Sequence, residues 1–186
     1  MAASQLYYGG VPVPYTASWS AEENTHHIAT CAYSGLPALC QASARGEGKP
    51  LFGKPHSNRQ REVIALHLCD LCGRPLRVST KVSLSHARVQ PHGAEGPAVL
   101  QVEPLLHRQC AAISVKHCPS LRRDIAAGRL HIRHVTRFRI QFARMSEVYV
   151  AELTHGASRE TAIGHAKVEL QAWRARDISW LEGKAA

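Results

Sequence analysis

The chain has 186 residues, of which 45% are hydrophobic, and a formal net charge of +9 with its histidines neutral. This length and apolar content suffice for one domain with a real core, and the sequence has no apolar run of about 18 residues that would predict a membrane-spanning helix. Because the N-terminal stretch lacks the basic and apolar segments of a secretion signal, we expect a cytoplasmic protein. Its six cysteines would then stay reduced, which favours metal ligation over disulfides.

The positive charge is concentrated in the middle of the chain. Residues 1–41 contain no Lys or Arg, whereas residues 45–144 hold 18 Lys and Arg against 6 Asp and Glu. A basic field of this kind attracts polyanions, so it favours DNA, RNA or an acidic protein surface as partner, although it can also serve solubility alone.

The first part of the chain is predicted to be irregular and extended. Residues 7–18 are rich in Pro, Gly and aromatic side chains, which is typical of an arm or loop. Residues 27–42 predict one or two short strands broken at Gly35 and Pro37, and residues 44–58 predict a basic loop. A helix capped by Ser57 or Asn58 should follow, with apolar residues between 63 and 68 on its inner side, and it should deliver Cys69.

The middle of the chain predicts a hairpin, a strand and two helices. Residues 74–86 alternate between apolar and polar side chains, which predicts a β-hairpin, and residues 98–106 predict a short strand that runs to His107. Residues 107–117 have a helical pattern that should stop before Pro119, because a proline disfavours the helical conformation of the residue before it. A basic helix capped by Ser120 and ended by Gly128 is predicted next.

The last part of the chain predicts a hairpin and a long helix. Residues 129–142 alternate, with Phe138, Ile140 and Phe142 on one face, and residues 147–153 are predicted to be the partner strand. From Ser158 the apolar residues recur at helical spacing, which predicts a long amphipathic helix. Its predicted stripe is Ala162, Ile163, Ala166, Leu170 and Trp173, with Trp180 beyond it.

The most specific pattern in the sequence is a set of four metal-ligating side chains. Cys69 and Cys72 form a Cys-x-x-Cys turn that presents two thiolates, and Gly73 can take the positive φ that such a turn needs. His107 and Cys110 lie three residues apart at the start of a predicted helix, so one turn places both donors on the same side. A tetrahedron of three thiolates and one imidazole is typical of structural Zn²⁺.

Other uses of the cysteines and histidines stay open at this stage. Cys69 and Cys72 could be a redox pair or buried thiols, but a redox motif does not call for a second Cys and His at helix spacing. Cys118 could replace His107 as the fourth ligand or be a buried thiol. A second zinc site is conceivable, although it lacks the helix-turn spacing of the first; its candidate ligands are His26, His27, Cys31 and Cys40.

A Cys-x-x-Cys knuckle, a hairpin and a helix that supplies the last two ligands form a treble clef. The predicted fold class is therefore α+β, with a small treble-clef zinc core, an additional β-hairpin and a C-terminal helix. Residues 1–44 would be an N-terminal arm with short strands, residues 45–128 the zinc core, and residues 129–186 the hairpin and helix packed on it. We expect these three parts to form one domain.

The ordered motifs within residues 49–123 resemble an uncharacterised group of bacterial and phage-encoded zinc-binding proteins. The resemblance is carried by GKPLFGKPH, RQRE, LCDLCGRPL, PLLHRQCAA and HCPSLRR, in the form RQR, CxxCG, HxxC, CPxLRR. It implies a zinc protein of mobile-element type whose ligands map onto Cys69, Cys72, His107 and Cys110, with Cys118 as the associated Cys-Pro. It implies no activity.

A weaker likeness is to HNH endonucleases, which are also treble clefs and use a histidine on the hairpin as general base. His86 stands where that base would be. The sequence departs from the pattern at Ser85, where an Asp or His is expected, and at Ala111, where a further catalytic His or Asn is often found. The alternative for His86 is a hydrogen-bonded histidine that ties the hairpin to a loop.

The sequence thus favours a non-enzymatic zinc protein that binds DNA or RNA through arginines, whose planar fork grips phosphate oxygens. Two alternatives remain. One is an adaptor or inhibitor that docks on a host or phage protein through the aromatic N-terminal arm and the C-terminal helix, and the other is an HNH-like nuclease. The arginines predicted to contact phosphates are Arg59, Arg61, Arg122, Arg123, Arg137 and Arg139.

Overall fold

A computed structural model of the chain describes residues 4–76, 81–91 and 96–183. Within these residues the fold is α+β, with five α-helices and a curled β-sheet, as the sequence predicted at the level of fold class. The helices are α1 Ser57–Ala65, α2 Arg108–His117, α3 Pro119–Ala126, α4 Glu147–Leu153 and α5 Ile178–Glu182, and a 3-10 helix spans Ser20–Glu22.

The strands form one large sheet and two small ones. The N-terminal strands are β1 Leu6–Tyr8, β2 Val11–Val13, β3 Ala17–Trp19, β4 His27–Thr30, β5 Pro37–Cys40 and β6 Pro50–Pro55. The later strands are β7 Lys81–Ser85, β8 Gln90–Pro91, β9 Pro97–Gln101, β10 Leu106–His107, β11 His131–Met145 and β12 Ala162–Arg176. The large sheet has the order β10-β7-β11-β12-β5-β4, and β9 also pairs with β12 and with β8.

The centre of the large sheet is the antiparallel pair of β11 and β12, each 15 residues long. The prediction of a long helix from Ser158 was wrong, because residues 162–176 form β12. The apolar positions that matched a helical stripe include Ala166 and Leu170, which are buried on this strand in the same core cluster. Residues 166–172 in fact alternate, with Ala166, Val168 and Leu170 separated by Lys167 and Glu169, so a strand signal was present. The Ala, Glu, Gln and Leu content of the segment, which is typical of helices, favoured the wrong prediction.

The prediction of a strand at residues 147–153 was also wrong, because these residues form α4. Ser146 caps the helix by accepting a hydrogen bond from the backbone N–H of Tyr149, and Glu147 stands in the first turn, where a negative charge is favourable. Val150 is buried while Val148 and Tyr149 are exposed, so the apparent alternation did not mark a strand.

Several local predictions were confirmed. Residues 27–42 contain β4 and β5 with Gly35 at φ 69° between them, and α2 ends at His117, with Cys118 as its C-cap directly before Pro119. Phe138, Ile140 and Phe142 pack against the buried core, as predicted for a core face. The hairpin predicted at 74–86 stays a prediction, because β7 is observed but pairs with β10 and β11, and residues 77–80 lie outside the described residues.

The N-terminal arm folds back on the body of the protein. β1 and β2 form a hairpin, and β3 pairs with β6, which occupies part of the segment predicted as a basic loop. Trp19 is buried with Val13 and Ala17, whereas Tyr7 and Tyr8 remain exposed. Part of the aromatic content of the arm therefore forms core.

Helix α1 is held against β12 by polar side chains rather than by an apolar stripe alone. The Gln60 amide donates to the carbonyl of Ala166 at 2.8 Å and accepts from its N–H at 3.0 Å, and Arg61 donates to the carbonyl of Gly164 at 2.6 Å. These bonds satisfy backbone groups of β12 between its short pairings with β5 at Ile163 and with β9 from Val168 onward.

The N-cap of α1 is His56, whereas the sequence predicted Ser57 or Asn58. His56 is buried, its Nδ1 accepts from the N–H of Arg59 at 3.4 Å, and its Nε2 lies 3.1 Å from the carbonyl of Ala42. A neutral ring with the proton on Nε2 fulfils both roles. Burial and the nearby Arg59 charge lower the pKa of His56 below its usual 6.5.

We expect the free energy of unfolding to decrease as the pH falls below about 6.5, because the unfolded chain takes up a proton that the folded His56 does not. His56→Asn, which keeps a capping oxygen without the titration, should reduce this decrease. Chemical unfolding at about pH 7 and about pH 5, with zinc held constant, measures the difference. His155→Asn is the control, since His155 is exposed and Asn tolerates its φ of 51°. An unchanged pH dependence in His56→Asn would contradict the assignment.

Candidate metal centre

The four predicted ligands come from two places in the fold. Cys69 and Cys72 lie in the turn after α1, which is closed by hydrogen bonds from Gly73 N–H to the Cys69 carbonyl and from Cys69 N–H to the Arg74 carbonyl, both 2.8 Å. Gly73 has φ 65°, as the Cys-x-x-Cys turn predicted, and a Cβ there would lie 2.9 Å from the ring of Tyr15. His107 ends β10, and Cys110 lies in the first turn of α2.

The structure brings these four side chains together. Their ligand atoms all lie within 4.8 Å of one another, and the six cysteines of the chain form no disulfide. His107 Nδ1 is 3.5 Å from the sulfur of Cys72 and 3.8 Å from that of Cys110. A tetrahedron with metal–sulfur bonds of about 2.3 Å has edges of about 3.8 Å, so the cluster has the size that one metal ion requires.

The imidazole of His107 is oriented by its second nitrogen. Nε2 lies 2.9 Å from the carbonyl oxygen of Pro75, to which it can donate its proton. That tautomer leaves the lone pair of Nδ1 directed at the sulfurs, which is the arrangement that metal-binding histidines use. The backbone N–H of His107 also donates to the sulfur of Cys69 at 3.4 Å, which binds the two halves of the cluster to each other.

The crowding of the three sulfurs calls for a cation. Without one, the hydrogen bond with Cys110, together with burial, raises the pKa of Cys69 to about 11. The hydrogen bond with Cys69, followed by burial, raises the pKa of Cys72 to about 12. Thiolates this close repel one another, and a bound divalent ion reverses this effect and deprotonates coordinating thiols.

The remaining candidate ligands are not part of this cluster. Cys118 lies at the C-terminal end of α2 and is not in the group of four. The second zinc site suggested by His26, His27, Cys31 and Cys40 is not formed among the described residues, since the strand register pairs His27 with Cys40 and places Cys31 at the opposite end of the β4–β5 hairpin. Cys31 and Cys40 are buried core residues.

Two of the six predicted phosphate-binding arginines are inside the protein, and for these the prediction was wrong. Arg59 is 5% exposed and Arg61 is 2% exposed. Arg59 forms a bidentate ion pair with Glu22, with both N···O distances 2.7 Å, and Arg61 bonds the backbone of β12. The other four are exposed and are called the outer arginines below: Arg122, Arg123, Arg137 and Arg139.

His86 lies just after β7 and is 53% exposed in its side chain. Its Nε2 is 3.2 Å from the carboxylate of Asp124, which also pairs with Arg129. His86 thus ties the end of β7 to α3, which agrees with the interpretation of a hydrogen-bonded histidine. The role of general base stays a prediction.

The sequence did not predict that Glu22 and Arg133 would be buried charged residues. Glu22 is a fully buried carboxylate, and Arg133 is a buried arginine on β11. The only signal for Arg133 in the sequence was its position between Ile132 and Val135 in a segment predicted to be a strand.

Comparison with known proteins adds no relative, since the chain matches no family model, no curated protein and no solved structure. Among the described residues no helix is long and apolar enough to cross a membrane.

Proposed function

We propose that the chain is a zinc protein in which the ion is structural and the surrounding scaffold presents a basic surface to nucleic acid. The observation that carries the first part is the group of Cys69, Cys72, His107 and Cys110, with all ligand atoms within 4.8 Å. Three thiolates and one imidazole are soft donors that select zinc over magnesium or calcium, and four protein ligands would complete a tetrahedron. The order of knuckle, strands and helix supports a treble-clef arrangement.

The ion would fix the position of the helices that follow it. Leu121 and Ile125 on the inner side of α3 pack against the core that contains Cys69, Ala111 and Val115. Arg122 and Arg123 lie on the outer side of the same helix and are exposed. Zinc binding would therefore hold α2 and, through it, the cationic face of α3.

The outer arginines support nucleic acid as the partner. Arg137 and Arg139 are exposed on β11, where Arg139 also pairs with Glu169 at 2.9 Å. With Arg122 and Arg123 on α3, they would give the protein exposed positive charge that attracts phosphates. Phe138 is covered by His67 and Lys81 and packs inward, so phosphate contacts rather than base stacking on this residue would supply the affinity.

We expect fluorescence anisotropy to show binding to labelled DNA or RNA that weakens steeply between about 50 and about 200 mM salt. Replacing Arg122 and Arg123 together by Gln should lower affinity for all sequences alike and, on duplex DNA, reduce the slope of log K against log salt by roughly 1.8, or about 0.9 for each lost phosphate contact. Single-stranded DNA, duplex DNA and RNA of one sequence would be compared side by side.

The control for this experiment is Arg159→Gln, which removes an exposed charge from the segment between α4 and β12. An effect of Arg159→Gln about half as large as that of the double substitution, which removes two charges, would mean that net charge alone is sensed. Absence of binding at low salt would reject the nucleic-acid proposal and leave the adaptor alternative, for which Tyr7 and Tyr8 are the exposed aromatics. Aromatic interfaces depend little on salt.

A further inference from the structure

A second cationic feature lies away from the metal centre, in a groove of about 870 Å³ between the start of β11, the end of β12 and the start of α5. We call it the arginine groove. Its cationic lining is Arg88, Arg133 and Arg176, and its apolar lining includes Trp173, Ile125 and Ile178.

Arg133 is the unusual member of the groove. Its side chain is buried, with 4% exposure, yet it forms no ion pair within the described residues. Nη2 donates to the carbonyl of Ala87 at 2.7 Å, while Nη1 is buried without a hydrogen-bond partner. Burying a guanidinium without a carboxylate against it is costly, so an anion that enters the groove would recover a large unsatisfied interaction.

The other charged groups of the groove add to its attraction for anions. Arg88 is exposed at the rim, and Nε of Arg176 is also buried without a partner, while its guanidinium lies 5.3 Å from the ring of Trp180. Asp177 is the acidic residue of the lining, and its Oδ1 already accepts the N–H of Trp180 at the start of α5. The lining therefore holds three arginines and a single carboxylate, which is engaged elsewhere. Glu103 lies outside the lining and attracts Arg133 without forming an ion pair with it among the described residues.

The apolar lining indicates what the anion carries. Trp173 and Ile178 offer a flat aromatic surface and an aliphatic side chain beside the arginines. Arginine grips phosphate oxygens bidentately, and aromatic side chains stack on bases. We propose that the arginine groove binds a nucleoside monophosphate unit, with the phosphate on Arg133 and Arg88 and the base against the apolar wall.

Two sources share this chemistry, a free mononucleotide and the phosphorylated end of a strand. Binding of a free mononucleotide goes beyond the proposed function, whereas binding of the phosphorylated end of a strand rests on it. Because the groove does not include Arg122 or Arg123, the two proposals can fail separately.

Calorimetric titration of the zinc-loaded full chain tests the groove with three probes: adenosine monophosphate, adenosine and inorganic phosphate. We expect adenosine monophosphate to bind more tightly than either fragment. Arg133→Met should weaken binding by at least about tenfold, since a charge-assisted hydrogen-bond pair is lost. The same substitution should leave thermal stability equal or higher, because it removes a buried charge that has no carboxylate partner.

Arg88→Gln at the exposed rim provides a second variant should Arg133→Met fold poorly, and it should also weaken binding. Arg144→Gln, exposed near the other end of β11, should not. If the ligand is the phosphorylated end of a strand, a 5′-phosphorylated oligonucleotide should bind more tightly than its 5′-hydroxyl form. Arg133→Met should abolish that difference in affinity. The double substitution of Arg122 and Arg123 by Gln should leave the difference unchanged. Binding of neither mononucleotide nor 5′-phosphate, or binding equal in wild type, Arg133→Met and Arg88→Gln, would overturn the proposal.

Discussion

Replacing Cys110 by serine is expected to abolish zinc binding and to unfold the core around α2. Serine has nearly the shape of cysteine but lacks the thiolate, so the change removes a ligand without creating a large cavity. Structural zinc contributes about 10–16 kcal/mol in small domains, whereas a whole domain is stable by about 5–15 kcal/mol, so loss of the ion can exceed the entire margin.

The position of the cluster in the core explains why the effect should be so large. Cys69 is fully buried and packs with Leu71, Val82, Ala111 and Val115, and the C-terminal helix α5 adds Leu181 to the same group. The knuckle, β7, α2 and α5 therefore meet around the four ligands. Without the ion, three crowded sulfurs would remain at this point instead of a tetrahedral centre, and the pKa values of Cys69 and Cys72 would be raised.

Elemental analysis and circular dichroism together measure the result. The wild type should contain one zinc ion per chain and lose its thermal transition when a strong chelator is added, and zinc rather than magnesium should restore it. Cys118→Ser is the matched control, since Cys118 lies on the same chain segment but outside the cluster; it should keep the ion and the transition. A Cys110→Ser protein that melts like the wild type would show that the ion is not structural.

The metal centre could be predicted because its signals are local. Two short motifs fixed the spacing of the donors, and the helical pattern after His107 placed Cys110 one turn away, as observed in α2. Pro119 and Gly73 were equally informative, since the proline disfavours the helical conformation of the residue before it and the glycine permits the positive φ that is observed at position 73. What spacing could not supply was the carbonyl of Pro75, which orients His107 through a tertiary contact.

The errors lie where tertiary packing overrides local preference. The segment of β12 has helix-favouring residues but forms a strand, where it pairs with β11 and where buried Gln60 and Arg61 of α1 serve as hydrogen-bond partners for its backbone. The RQR motif, residues 59–61, was predicted to be a phosphate-binding surface, but all three of its side chains form hydrogen bonds inside the protein. An arginine that pairs with a carboxylate 37 residues away along the chain cannot be distinguished, from the sequence, from one that faces solvent.

The buried pair of Arg59 and Glu22 is expected to be the most sensitive polar contact in the protein outside the metal centre. Arg59→Met should reduce the free energy of unfolding by about 3–5 kcal/mol, because Glu22 would remain fully buried without its counter-charge. Burial alone raises the pKa of Glu22, but the hydrogen bonds from Arg59 and from the backbone N–H groups of Ala44 and Trp19 outweigh it and lower the pKa. Glu22 therefore stabilises the fold above its unfolded pKa near 4.5, and this contribution is lost as the pH falls through the lower folded value.

Lys54→Met is the matched control, since Lys54 pairs with Glu23, the neighbour of Glu22, at 2.8 Å, but their side chains are 69% and 40% exposed. Both variants replace a cation by the same apolar residue, yet the exposed pair should cost less than about 1 kcal/mol because water screens it. Chemical unfolding near neutral pH, at a fixed zinc concentration, compares them. Glu22 also accepts the N–H groups of Trp19 and Ala44, so pairing Arg59→Met with Glu22→Leu should restore only part of the loss. Equal losses in Arg59→Met and Lys54→Met would mean that Arg59 is accessible to solvent and would return it to the candidates for phosphate contact.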